Sequence, residues 1–166
     1  MNNNKNGIAI VPGSFDPITN GHLDIIRRAS ELYKKVYVAV MINSEKQYTF
    51  SLEEREKIAK AAVSHMENVE VISSDGMLWM LARDLDADAI VKGYRNQIDY
   101  EYEKRMAEFN ESKFPKAKTV LLPSAPELAE VSSTVVRKKL SAGETPDELL
   151  PETALNEINK ILSNRQ

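Results

Sequence analysis

The chain has 166 residues, 42% apolar and 28% charged, with a formal net charge of −3. That size and mix fit one ordinary globular domain, and an acidic balance offers no basic field to draw nucleic acid. The absence of cysteine excludes disulfides, thiolate metal sites and a cysteine nucleophile, and no run approaches the ~18 apolar residues of a membrane span.

Residues 1–6, Met1-Asn2-Asn3-Asn4-Lys5-Asn6, lack the apolar core of a signal peptide and read as a frayed tail. A single domain over 7–166 follows, expected to be soluble and cytoplasmic. The first strand is expected at Gly7–Val11. The crossover Pro12-Gly13-Ser14-Phe15-Asp16-Pro17-Ile18-Thr19-Asn20-Gly21-His22 leads into an amphipathic helix starting near Gly21. A second strand at Val36–Met41 is followed by the loop Asn43-Ser44-Glu45-Lys46-Gln47. Ser51 and Glu54 then form a capping box at the next helix. A strand at Val69–Ile72 precedes a helix from near Gly76, which Ser74-Asp75 can cap. Strands at Ala89–Val91 and Thr119–Leu122 flank a helix from near Ile98. Two helices close the chain. Ser132-Ser133-Thr134 leads into Val135–Leu140, which Gly143 ends, and Pro151 suits the first turn of Glu152–Leu162.

Strands that read as continuous apolar runs are buried on both faces. Their alternation with helices predicts a doubly wound α/β domain with a parallel five-stranded sheet and C-terminal helices. In such sheets ligands bind beyond the carboxyl ends of the strands, at a topological switch point. The first crossover fits that position. It carries two glycines, a hydroxyl, a carboxylate and one of only two histidines, at a helix N-terminus that favours anions. Neither Gly-x-Gly-x-x-Gly nor a Walker A pattern is present. The motif therefore reads as a nucleotide-phosphate site of another kind.

Thr19-x-Gly21-His22 resembles the signature of the (H/T)-x-G-H nucleotidyltransferase superfamily. The longer string Pro12–His22 is similar to that of the bacterial phosphopantetheine adenylyltransferase family. Phe50-Ser51-Leu52-Glu53-Glu54-Arg55, Lys92-Gly93-Tyr94-Arg95 with Asp99-Tyr100-Glu101-Tyr102-Glu103, and Val131-Ser132-Ser133-Thr134 match it in order and spacing. The resemblance spans nearly the whole chain. It implies a Rossmann-like nucleotidyltransferase fold and adenylyl transfer from ATP to 4′-phosphopantetheine, giving dephospho-coenzyme A and pyrophosphate. The acceptor phosphate attacks the α-phosphorus directly, so no protein nucleophile is required. Catalysis then rests on positioning and charge stabilisation.

By the same resemblance, His22 stabilises the α-phosphate in the transition state and Lys46 holds the attacking phosphate. Ser14, Leu78 and Lys92 are expected on phosphopantetheine. Ser14, Phe15, His22, Gly93, Tyr94, Arg95 and Glu103 are expected on ATP, with Leu128, Ala129, Glu130, Val131, Ser132, Ser133 and Thr134 from the last loop. Lys92 stands where the family usually has Arg, keeping the charge without the bidentate fork. Leu128 stands where an aromatic residue is frequent. Asp16 is open between bracing its loop and lying near Mg²⁺. Thr19 and Asn20 read partly as capping residues, Glu101 as a solvated face and His65 as a helix-end residue. No metal-ligating residue is assigned, because Mg²⁺ is expected through ATP. Coenzyme A is a candidate feedback inhibitor. A homohexamer is implied, with Val135–Leu140 and Ala154–Leu162 as candidate contact segments. The competing readings are a sister adenylyl- or cytidylyltransferase with another acceptor, and a nucleotide-binding regulator without catalysis.

Overall fold

The alternation of core-facing residues along each strand decides which helices cover which face. The computed structural model describes residues 5–166, so residues 1–4 of the expected tail lie outside it. Lys5 Nζ donates to the Ser30 carbonyl at 3.0 Å. Five parallel strands form one sheet: β1 (Ile8–Gly13), β2 (Lys35–Met41), β3 (Val69–Ser74), β4 (Ala89–Tyr94) and β5 (Lys118–Pro123), in the order β3-β2-β1-β4-β5. The helices are α1 (Asn20–Leu32), α2 (Leu52–Val63), α3 (Leu78–Asp84), α4 (Gln97–Lys113), α5 (Ser133–Ser141) and α6 (Glu152–Asn164).

Ala9, Val11, Val36, Val38, Val40, Val71, Ala89 and Val91 share one core with apolar residues of α1, α2, α5 and α6. Ile10, Ala39 and Ile90 point to the other face, with Ala82 and Leu78 of α3 and Phe114 after α4. This is the two-sided burial expected of a parallel sheet. Truncating a fully buried member such as Ile26 or Ile58 to Ala should cost about 2–5 kcal/mol.

All five expected strands form, and four run further at the carboxyl end than their apolar runs. The added residues are small or polar, yet their backbones still pair, as in Gly93↔Leu122 and Tyr94↔Pro123. β1 pairs with β2 through Gly13↔Val40, but with β4 only at Ala9↔Ala89 and Ile10↔Ile90. Pro12 stays in register with Ala39 of β2 but has no N–H to offer β4. The strands part there, and a crevice opens at the switch point.

The capping box at Ser51 forms: Glu54 N–H donates to Ser51 Oγ at 3.1 Å and Ser51 N–H to Glu54 Oε1 at 2.8 Å. Gly143 ends α5 with φ +74°, donating its N–H to the Leu140 carbonyl at 3.1 Å. Ser74 and Asp75 do not cap α3. Its N-cap is Met77, with no side-chain bond, because β3 continues through Ser74 and the Ser74 hydroxyl accepts from Gly76 N–H instead. The two segments expected to mediate assembly also read differently. Val136, Ala154, Ile158 and Ile161 are buried inside their own chain. The unpartnered apolar stripe lies on α4: Ile98 is 82% exposed, followed by Tyr102, Met106 and Phe109.

Candidate active site

The crevice beyond β1 and β4 holds a cavity of about 370 Å³, within the range of small-molecule sites. Its floor is the end of β4, namely Gly93, Tyr94 and Arg95. The N-terminal turns of α1 and α5 form opposing walls, through Gly21 and His22 on one side and Ser132, Ser133 and Thr134 on the other. The first turns of two helices thus border one space, an arrangement suited to phosphate. Gly93 eases the close approach of β4 to α1: a Cβ there would lie 3.0 Å from Ile25 Cγ1, so Ile25 would have to give way.

His22 sits in an unusual capping box. Thr19 is the N-cap, its Oγ1 accepting from His22 N–H at 3.4 Å. Thr19 N–H in turn donates to His22 Nδ1 at 3.0 Å. A backbone N–H can only donate, so Nδ1 must be the acceptor and the ring proton of the neutral imidazole resides on Nε2. Burial, and secondarily the charge of Arg95, lowers the His22 pKa from 6.5 to about 4. The Phe15 ring meets the imidazole edge-on, with centroids 5.0 Å apart. His22 is therefore a neutral donor of fixed orientation on the cavity wall.

The first crossover is tied to both neighbours. Asp16 is buried, and its two carboxylate oxygens accept from Thr49 and Phe50 N–H, both at 2.9 Å. This resolves its ambiguity towards bracing. Arg137 of α5 donates to the Asp16 carbonyl at 2.9 Å, and Ser133 Oγ to the Pro17 carbonyl at 2.7 Å. Phe15 adopts φ 49°, a left-handed conformation costing about 1–2 kcal/mol for an L-residue. That bend drops its ring, 2% exposed, into the core beneath His22.

Of the residues expected on ATP, the cavity wall includes His22, Gly93, Tyr94, Arg95, Glu103, Leu128, Val131, Ser132, Ser133 and Thr134. Ser14, Phe15, Ala129 and Glu130 are not on it. Ser132 caps α5, accepting from Val135 N–H at 3.2 Å. Leu128 ends a 3-10 turn, Pro126–Leu128. The residues expected on the acceptor are not gathered into the cavity. Lys46 is exposed in the loop after β2. Leu78, partly buried, packs on the second core face. Lys92 forms an ion pair with Glu103, Nζ to Oε2 at 2.5 Å, one layer behind the wall. The pair is close but not aligned as a hydrogen bond, leaving Glu103 Oε2 without an aligned donor.

Thr19 and Gly21 of the crossover motif also line the cavity, as do Asp99 and Ser124, to which the sequence assigns no ligand role. Asp99 Oδ2 accepts from Arg95 Nε at 3.4 Å, and their i, i+4 spacing is the signal for it. Ser124 has no sequence signal; it lines the site because its N–H extends the β4 pairing to the Tyr94 carbonyl. Among the described residues no cluster of three or more His, Asp or Glu side chains could hold a metal, and no helix is long and apolar enough to cross a membrane. Asp99 and Glu103 are already engaged by cations, so the donor set fits a metal delivered on a ligand better than one caged by protein.

A parallel sheet with opposed helix N-termini and a neutral histidine at the switch point defines a nucleotidyltransferase. Residues 10–139 match the model of the cytidylyltransferase-like family. The chain is 37% identical over 153 residues to a phosphopantetheine adenylyltransferase of Shouchella clausii, covering 92% of this chain and 96% of that protein. Its counterpart in Clostridium tetani is 39% identical over 95% of this chain and 99% of its own length. That of Streptomyces coelicolor is 41% identical, with 95% and 98% covered. The chain belongs to the phosphopantetheine adenylyltransferase family.

Proposed function

We propose that the chain transfers the adenylyl group of ATP to 4′-phosphopantetheine, a step of coenzyme A synthesis. A phosphate oxygen of phosphopantetheine attacks the α-phosphorus. A new P–O–P bond forms, the α–β bridging P–O bond breaks, and pyrophosphate leaves with that electron pair. The observation that carries this reading is the Thr19–His22 capping box. It presents an imidazole that is neutral, oriented and obliged to carry its proton on Nε2. Such a donor stabilises negative charge growing on the α-phosphate without exchanging a proton.

Arg95 and the α5 N-terminus at Ser132–Thr134 grip the β- and γ-phosphates, Glu103 binds the ribose, and Leu128 with neighbouring residues 129–131 borders the adenine. Ser14 and the Phe15 backbone meet the phosphates from the crossover. Lys46 and Lys92 neutralise the acceptor phosphate, whose approach to ATP Coulomb repulsion opposes, and Leu78 packs on the pantetheine arm. Mg²⁺ would come bound to ATP, where it would offset phosphate charge, and no side chain of the chain is assigned to hold it. The product's own chemistry makes coenzyme A a candidate occupant and inhibitor of the same site. Assembly as a homohexamer in the cytoplasm completes the reading; the exposed α4 stripe of Ile98, Tyr102, Met106 and Phe109 supports self-association.

Pyrophosphate release from ATP, followed with and without phosphopantetheine, tests the assignment. Release should depend on phosphopantetheine; release that ignores it refutes the acceptor, and no release in either case refutes the activity.

A further inference from the structure

Arg55 is the largest fully buried side chain of the molecule, 2% exposed, on a helix face otherwise made of Ile58, Ala59 and Ala62. A guanidinium in such a place is costly unless its charge is used. Among the described residues no carboxylate pairs with it. Its Nη1 donates instead to two main-chain carbonyls, Ser14 at 2.8 Å and Met41 at 3.2 Å. The last rung between β1 and β2 is Gly13↔Val40, so Ser14 and Met41 are the next pair in register. Arg55 bridges the two strands where their ladder stops and both chains leave for the site.

The same guanidinium stacks on the Tyr48 ring, 3.9 Å from its centroid. Tyr48 Oη accepts from Asn43 N–H at 2.9 Å, and the Asn43 carbonyl accepts from Lys46 N–H at 3.0 Å. One buried cation therefore holds the Ser14 crossover directly and the Lys46 loop through Tyr48 and Asn43. We infer that Arg55 is a positioning residue for the acceptor phosphate, setting the separation between Ser14 and Lys46. The inference rests on the reading of those two residues as phosphopantetheine ligands. Lysine does not replace it, because its shorter side chain ends in an ammonium without the planar face that stacks on Tyr48.

Arg55→Lys should raise the KM for phosphopantetheine about tenfold or more, the loss expected for a charged hydrogen bond. The KM for ATP, which shares only the Ser14 crossover and has its other contacts across the crevice, should rise much less, by no more than about threefold. A purely structural arginine would leave both KM values unchanged in the fraction that folds, or raise both alike, and either pattern overturns the inference. Tyr48→Phe removes the hydroxyl that accepts from Asn43 while keeping the ring under Arg55. It should raise the phosphopantetheine KM alone, by about threefold to fivefold. This variant decides the matter if Arg55→Lys does not fold: an unchanged phosphopantetheine KM sinks the inference. Wild-type enzyme that shows no phosphopantetheine-dependent pyrophosphate release sinks the functional reading itself. A responsive wild type with unresponsive variants sinks only Arg55.

Discussion

The side of the crevice proposed for the nucleotide is lined largely by strand and helix ends, whereas the side proposed for the acceptor relies on two long side chains, Lys46 in an exposed loop and Lys92 half-buried against Glu103. Gly93, Tyr94 and the first turns of α1 and α5 line one cavity. Lys46 extends from an exposed loop, and Lys92 is occupied by Glu103. Backbone donors at strand and helix ends are fixed by the fold and need no further ordering. Lysine ammonium groups are flexible and must be drawn into place by a phosphate, at an entropic cost. A site of this kind should receive ATP in a ready cradle and assemble its second half around the acceptor.

The largest effect should come from the residue between the two halves. His22→Ala should lower kcat by about 10²–10³ with a small change in the KM for ATP. Near-normal turnover would remove the histidine from the mechanism. Its neutrality has a separate signature. In a His65→Gln background, His22 is the remaining imidazole, and its NMR titration should centre near pH 4. The sign follows from linkage: a folded pKa below the unfolded 6.5 means that the unfolded chain takes up the proton first as pH falls. Stability from this group is fully present above pH 6.5 and is lost as pH drops towards 4. A midpoint at or above 6.5 would show that burial does not govern the ring.

Lys46→Ala sharpens the contrast on the acceptor side. It should lower kcat/KM for phosphopantetheine by about 10- to 100-fold, the range for a lost charged contact, while ATP binding measured by calorimetry holds. Equal losses for both substrates would mean that the loop belongs to both halves. On the nucleotide side, Gly93→Ala should destabilise the fold by about 1–3 kcal/mol through overpacking, since its Cβ would lie 3.0 Å from Ile25 Cγ1. Urea unfolding reads that change, and an unmoved midpoint would show Ile25 turning aside.

The same divide governs what the sequence makes legible. The sheet can be read because apolar runs report burial directly, and much of the cavity wall because Gly, Ser and Thr at a strand–helix junction report backbone chemistry. The strand ends at Gly13, Ser74 and Tyr94 were invisible, since small or polar residues pair through backbone alone. The Ser74-Asp75 cap failed because a local signal does not know that β3 runs through it. Asp16 was undecidable, because a carboxylate that braces two N–H groups and one that meets a metal are the same letter. Arg55 lay within a quoted motif, yet only the register of β1 against β2 reveals what its guanidinium joins. Side-chain partners on different elements, such as Lys92 of β4 and Glu103 of α4, depend on tertiary placement that spacing does not encode.

The smallest predicted effect separates capping from ligand binding within one hydroxyl. Ser132→Ala removes the acceptor for Val135 N–H and should cost about 1 kcal/mol in stability. Ser132→Gly keeps most of that stability, because glycine is tolerated at an N-cap within a few tenths of a kcal/mol. If the hydroxyl only caps α5, the Gly variant restores both the thermal midpoint and the KM for ATP. If it also grips the triphosphate, the midpoint returns and the KM does not. The nucleotide side is expected to give the second result for a reason of geometry. An N-cap oxygen can accept from its own helix and, through its O–H, donate to an anion at the same terminus. Backbone cradle and side-chain ligand then coincide in one residue, which the acceptor side, built on Lys46 and Lys92, cannot match.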